Sequence, residues 1–130
     1  MFEKAKDHLM KYHLDNRIIE FDTSTATVAL AAEALGISEG EIAKTMAFMV
    51  GDNAILVVVA GDKRIDNAKF KNQFHVKAKM IAYEDVESII GHAGGGVCPF
   101  GINDNIKVYL DESLKVYEYV YPACGNAASA

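Results

Sequence analysis

"KTMAFMVGDNAILVVVA", residues 44–60, is the stretch on which the fold turns. Two runs rich in β-branched and large apolar residues flank Gly51, Asp52 and Asn53, a composition that favours a tight turn. The pattern predicts a hairpin. Neither run alternates cleanly between apolar and polar residues, as a strand with one wet face would. Both faces of the hairpin are therefore expected to be covered, as at the centre of a sheet with helices or a second sheet packed on it.

Working outward, the segments on either side mix helices and strands. Residues 3–13 read as an amphipathic helix, and "RIIEF" (17–21) as a short strand. "TSTATVALAAEALG" carries Ser/Thr caps, an Ala/Leu-rich helix and a stop at Gly36. Ser38 with Glu41 three residues later has the form of a capping box. Beyond the hairpin, residues 66–74 read as a helix, "VKAKMIA" (76–82) as an alternating strand, and "YEDVESIIG" (83–91) as a helix ended by Gly91. Two more strands are expected in "IKVYLDESL", which turns near residues 111–113, and "KVYEYVYPA". There is no regular βαβ alternation, so the expectation is an α+β fold with a mixed sheet.

The chain has 130 residues, 51% hydrophobic and 24% charged, with no linker, repeat or low-complexity run. That fits one domain over residues 1–130. The formal net charge of −5 argues against general nucleic-acid binding. Six basic residues nonetheless cluster in 63–79 (Lys63, Arg64, Lys69, Lys71, Lys77, Lys79) against Asp62 and Asp66. They are either a solvated face or a local landing strip for a polyanion. The N-terminal stretch carries charges throughout and has no signal-peptide core. The longest apolar run, 54–60, is too short for a membrane span. A soluble, cytoplasmic protein without membrane association is expected. Cys98 and Cys124 form no CxxC pair and are expected to be free thiols. His8, His13, His75 and His92 show no metal-ligand spacing, so no metal and no cofactor are expected.

Two features carry chemistry. Lys44 opens an apolar strand and shares a face with Met46, Phe48 and Val50. It either snorkels to the sheet edge or sits at a pocket mouth, where it would hold an anion or stabilise developing negative charge. The second is "GHAGGGVCPFGI", residues 91–102. No GK[ST] follows it and no helix follows it, so it is neither a P-loop nor a dinucleotide fingerprint. Its glycines suit close approach of main chain to a ligand, with free N–H groups as donors. Cys98 as a nucleophile would need a base, and His92 is near in sequence without a defined orienting partner. A packed, pocket-lining Cys98 is the alternative. The tail "YPACGNAASA" (121–130) is a second small-residue loop, either facing the first across a pocket or loose.

Taken together and in this order, "IAKTMAF", the apolar hairpin, "GDKRID", "GGGVCPFG" and a strand pair ending in a small-residue loop resemble the YbaK/EbsC/ProX group of aminoacyl-tRNA deacylases. These are related to the editing domain of bacterial prolyl-tRNA synthetases. The similarity runs from about Arg17 to the end. It implies a curved, barrel-like mixed sheet with flanking helices around a small pocket. It also implies hydrolysis of the ester joining a small wrong amino acid (alanine, cysteine or serine) to a tRNA, most naturally tRNA(Pro). The catalytic positions implied are Lys44 and Gly95, the latter opening the Gly-x-x-x-Pro element that ends at Pro99. The implied substrate-binding positions are Thr45, His92, Gly94, Gly96, Val97, Cys98, Pro99, Phe100, Ala123, Cys124 and Gly125. The partners implied are the 3'-aminoacyl end of a mischarged tRNA and an aminoacyl-tRNA synthetase. This chain departs from the pattern at Cys98, where many relatives have serine, and at Ala123, where a serine is common. Relatives continue past this loop into a further strand and helix, which residues 1–130 do not include. Two other functions compete: a binding module for aminoacyl-tRNA or a synthetase without turnover, and a thiol enzyme using Cys98.

Overall fold

The computed structural model describes residues 2–130. The hairpin forms as expected. β1 (Ile42–Val50) and β2 (Asn53–Ala60) are antiparallel, with Lys44 opposite Val59 and Ala47 opposite Leu56. Gly51 turns the chain with φ 61°, a conformation that costs glycine little. β3 (Lys107–Leu110) adds in parallel beside β2, and β4 (Tyr121–Pro122) in parallel beside β1. The sheet order is β3-β2-β1-β4, a mixed sheet that curls into a half-barrel.

Both faces of the hairpin are covered. On one, Ala47 and Leu56 pack against Ile81 and against Val86 and Ile90 of helix α4 (Tyr83–Ile90). On the other, Phe48, Ile55, Val57 and Val59 pack against Phe70 of helix α3 (Asn67–Phe74). Phe48, Phe70, Phe74 and Tyr109 form a chain of aromatic contacts with centroids 5.0, 4.6 and 4.9 Å apart. A third helix (Val28–Leu35) starts where the Thr27 hydroxyl accepts the Leu30 N–H at 3.2 Å, and stops at Gly36 with φ 70°. Its Ala31 and Ala32 pack on Ile42. Glu41 accepts from both the N–H and the hydroxyl of Ser38, holding the turn that leads into β1. The first helix (Phe2–Met10) buries Ala5 and Leu9 against Cys98 and Cys124. In chain order these two helices are α1 and α2.

Three expected strands differ. Residues 17–21 do not enter the sheet: a 3-10 turn (Asp15–Arg17) is followed by an extended stretch that pairs with the C-terminal tail. Ile19 N–H reaches the Ala130 carbonyl at 2.8 Å, Phe21 N–H reaches that of Ala128 at 2.8 Å, and Ala130 N–H returns to Ile19 at 2.9 Å. Residues 76–82 touch β1 through only two main-chain bonds, Met49 N–H to Lys79 and Ile81 N–H to Ala47, both 3.0 Å. Their alternation is not a core pattern, since Val76 and Met80 remain exposed. Of 115–123 only Tyr121–Pro122 pairs. A 3-10 turn (Glu112–Val116), capped by Asp111, takes up the start, and Pro122 lacks an N–H to extend the ladder.

β1 thus has a divided outer edge. β4 pairs with it at Ile42 and Ala43, residues 79–81 meet it at 47–49, and 44–46 lie between. Leu56, fully buried at the sheet centre, should be the costliest truncation. Leu56→Ala is expected to lower unfolding free energy by about 2–5 kcal/mol in urea titration. Val116→Ala, at a side chain 77% exposed, should change it by less than about 0.5 kcal/mol.

Candidate functional site

A cleft of about 170 Å³ opens at this divided edge. β1 contributes Lys44 and Thr45, the glycine-rich loop contributes Gly95 and Val97, and the tail contributes Ala123 and Ser129. The loop begins where Gly91 caps α4 and runs without regular structure to β3. Gly95 has φ 89°, a region L side chains rarely occupy. Gly96 lies so near the tail that a Cβ there would fall 2.5 Å from the Asn126 main-chain nitrogen. Its carbonyl accepts the Gly125 N–H at 3.0 Å. Loop and tail are thus in direct contact, with no room for side chains between them.

The tail is held from its other side too. Thr25 N–H reaches the Ala127 carbonyl at 2.6 Å. Asn126 Oδ1 accepts from the Ser129 hydroxyl at 2.7 Å and the Ala128 N–H at 2.9 Å. Cys124 and Ser129 are buried. The alternative of a loose tail is therefore excluded.

Polar groups around the cleft are in part unspent. The Gly95 N–H has no main-chain partner among the described residues. The Thr45 hydroxyl is buried without a partner among them. The Lys44 ammonium donates to the Lys63 carbonyl at 2.7 Å. An ammonium has three N–H groups, so two remain for an anion. The residues lining the cleft include no Asp, Glu, His or Cys.

The other sequence-predicted positions lie elsewhere. His92, Cys98 and Cys124 are buried, the two thiols packed beneath α1. His92 Nε2 is 2.6 Å from the Phe100 carbonyl, which can only accept, so Nε2 carries the proton. Nδ1 has no partner among the described residues. The Cys98 Sγ lies 3.6 Å from that same protonated Nε2 and 3.6 Å from the Phe100 carbonyl. The imidazole therefore cannot take the thiol proton through the nitrogen it faces. Burial lowers the His92 pKa and pushes the Cys98 thiol up to about 12. A thiolate nucleophile is not available here. Both cysteines are free. Phe100 packs with α1, its ring 5.8 Å from that of His8. Gly94 lies against the Tyr83 ring, leaving no space for a Cβ. Pro99 is half-buried outside the cleft lining, and Gly125 serves the loop–tail bond.

Sequence reasoning missed Thr25, Tyr121 and Ser129 as cleft residues. The Ser/Thr cluster at 23–27 read as helix caps, which is true of Thr27 only. Thr25 turns instead to the tail, its hydroxyl 3.4 Å from the Ser129 carbonyl. Among the described residues no cluster of three or more His, Cys, Asp or Glu side chains is placed to hold a metal. No helix among them is long and apolar enough to cross a membrane.

A half-barrel sheet with a small cleft between a lysine-headed strand and a glycine loop defines an editing-type domain, and known proteins agree. The aminoacyl-tRNA editing domain family matches residues 22–130, and the chain belongs to it. It is 45% identical over 129 residues to the uncharacterized protein YwhH of Bacillus subtilis, covering 98% of this chain and 82% of YwhH. It is 31% identical over 98 residues to EbsC of Enterococcus faecalis, a candidate Cys-tRNA(Pro)/Cys-tRNA(Cys) deacylase, covering 73% of this chain and 59% of EbsC. The crystal structure of a candidate trans-editing enzyme for prolyl tRNA synthetase superposes with TM-score 0.88 at 30% identity, covering 98% of this chain and 82% of that one. The fold and family that the motifs resemble are thus those the protein has.

Two outcomes follow from the buried His–Cys pair. At about pH 8, alkylation of Cys98 in the folded protein should be slower than in urea by about a thousandfold or more, read by mass spectrometry. His92 gains its proton at lower pH when folded than the ordinary value of about 6.5. The unfolded state therefore binds more protons as pH falls below about 6.5, and stability should drop there. Urea midpoints between about pH 5.5 and 7.5 should show that slope, and His92→Gln should flatten it.

Proposed function

We propose that this protein hydrolyses the ester between a small amino acid and the 3'-terminal ribose of a mischarged tRNA, as a trans-editing domain covering residues 1–130. One observation carries the reading: a single cleft joins Lys44 and Thr45 to the glycine-loop main chain at Gly95, in a chain of the editing family. The cleft volume of about 170 Å³ lies below the ~300–1,000 Å³ of ordinary small-molecule sites, which suits alanyl, seryl or cysteinyl groups. Size alone discriminates by only about 1–3 kcal/mol per methylene. tRNA(Pro) is the natural carrier, given the likeness to a candidate trans-editing enzyme for prolyl tRNA synthetase.

Ester hydrolysis places negative charge on the carbonyl oxygen as water adds, then expels the ribose oxygen. The Gly95 N–H is a fixed donor for that oxyanion, and such donors contribute roughly 2.7–4 kcal/mol each. The free N–H groups of Lys44 pair with the terminal phosphate or share the developing charge. With no Asp, Glu or His side chain in the cleft lining, the attacking water is oriented by the substrate's own ribose hydroxyl. Solution in the cytoplasm, where charged tRNA is found, accords with this role.

Lys44→Ala should abolish release of amino acid from mischarged tRNA(Pro), a loss of about a hundredfold or more, while the urea midpoint changes little. Cys98→Ser should retain activity. Full activity in Lys44→Ala would sink the site assignment. Tight binding of mischarged tRNA by the wild type, with no release, would favour a non-catalytic binding module.

A further inference from the structure

A second, larger cavity of about 750 Å³, which the ester chemistry does not use, is lined by Lys63, the residue whose carbonyl Lys44 holds. It runs over β2 and β3, between α3 and the turn Glu112–Val116. Its floor is apolar and aromatic, with Val57, Val59, Phe74 and Tyr109. Its walls are polarised. Lys63, Arg64 and Lys69 stand on one side, Asp111 and Glu112 on the other. Asp66, also at this rim, caps α3 by accepting the Lys69 N–H at 3.0 Å, as Asp111 caps its turn by accepting the Ser113 N–H at 3.0 Å, so the basic wall carries three cations against one carboxylate. Bonds from Ser113 hold the Asp111 carboxyl below the usual carboxylate range, with Lys69 adding to the effect across the groove.

An occupant must therefore offer a flat apolar face, an anionic edge and, opposite it, hydrogen-bond donors. A cytidine or adenosine nucleotide does so: the base stacks, the phosphate is anionic, and the exocyclic amine donates to a carboxylate. Uridine fails the last test, because it presents a carbonyl where cytidine presents an amine. One side chain links the groove to the cleft. Lys44 lines the cleft, and its ammonium holds the carbonyl of Lys63 at the groove's rim.

We infer that this groove binds the single-stranded, amine-bearing nucleotides immediately 5' of the terminal adenosine, with phosphates along Lys63, Arg64 and Lys69 and base amines toward Asp111 and Glu112. The inference rests on the deacylase reading for what lies in the cleft. It gives the basic segment 63–69 a specific partner, the unpaired 3' end of an RNA.

The test uses 5'-labelled CCA and UUA trinucleotides in fluorescence anisotropy across a salt series. CCA should bind about fivefold or more tighter than UUA. Glu112→Leu, which leaves no acceptor at that position, should reduce that preference. Arg64→Gln with Lys69→Gln should weaken CCA binding and reduce the log–log salt slope by about 1.4, at roughly 0.7 per lost phosphate contact on single strands. The same double variant should lower kcat/KM about tenfold on an alanyl-minihelix, yet leave hydrolysis of 3'-alanyl-adenosine unchanged. Equal binding of CCA and UUA, indifferent to all three substitutions, would overturn the groove assignment even if the wild type deacylates both substrates. Absence of any deacylation alongside the expected binding pattern would instead retain the groove and sink the deacylase reading. Urea midpoints confirm that each variant is folded, and loss of both substrates' hydrolysis with a lowered midpoint would assign the residues a structural role and overturn the inference.

Discussion

The hairpin of β1 and β2 has no face that water can accept. Val57 and Val59 on one side and Leu56 on the other are all buried, and a two-stranded ribbon cannot bury both of its own faces. Helices must be brought to each side, and the chain does so immediately after β2, with α3 on the Phe48 face and α4 on the Ala47 face. That sequence of coverings determines where the connections fall. The turn carrying Lys63 leaves β2 beside the head of β1, and the glycine loop leaves α4 toward the same end. The candidate cleft is thus where the covering of the hairpin runs out, at the stretch of the β1 edge between β4 and residues 79–81.

The loop and the tail meet there by omission of side chains. Gly96 against Asn126 permits a main-chain contact that even alanine would obstruct, and the Gly96–Gly125 bond ties the two segments together. The adjacent Gly95, held at positive φ, lines the cleft, and its N–H has no main-chain partner among the described residues. Rigidity and chemical availability therefore come from neighbouring residues of one loop. The more reactive-looking groups, Cys98 and His92, are consumed in packing and in a bond to the Phe100 carbonyl behind that surface.

Much of this was legible in the sequence where the signal was local. The hairpin, the α2 caps at Thr27 and Gly36, the Ser38–Glu41 box, and the stop of α4 at Gly91 each depend on a few adjacent residues. Lys44 stood out because a charge on an apolar strand face is chemically conspicuous. What was not legible depends on distant pairing. Residues 19–21, within the stretch read as a short strand, pair not with the sheet but with 128–130, a tail whose sequence carries no strand signal. Thr25 and Ser129 become cleft residues only through that closure, so no local motif marks them. The glycine loop was legible as a close approach of main chain, but not which of its residues would face the cleft. Gly95 and Val97 do, while Gly94 and Gly96 back onto Tyr83 and the tail.

The Thr45 hydroxyl bears on why the cleft exists at all. A buried hydroxyl without a partner costs about 1–3 kcal/mol, and valine would fill nearly the same volume without that cost. The ammonium of Lys44 is likewise only one-third satisfied by protein. Both groups sit at the same cleft, beside a Gly95 N–H that is also unpaired. Packing alone would favour removing each of these polar groups. The Thr45 hydroxyl is itself covered, so the groups that a ligand carrying carbonyl and phosphate oxygens could satisfy are the Lys44 ammonium and the Gly95 N–H.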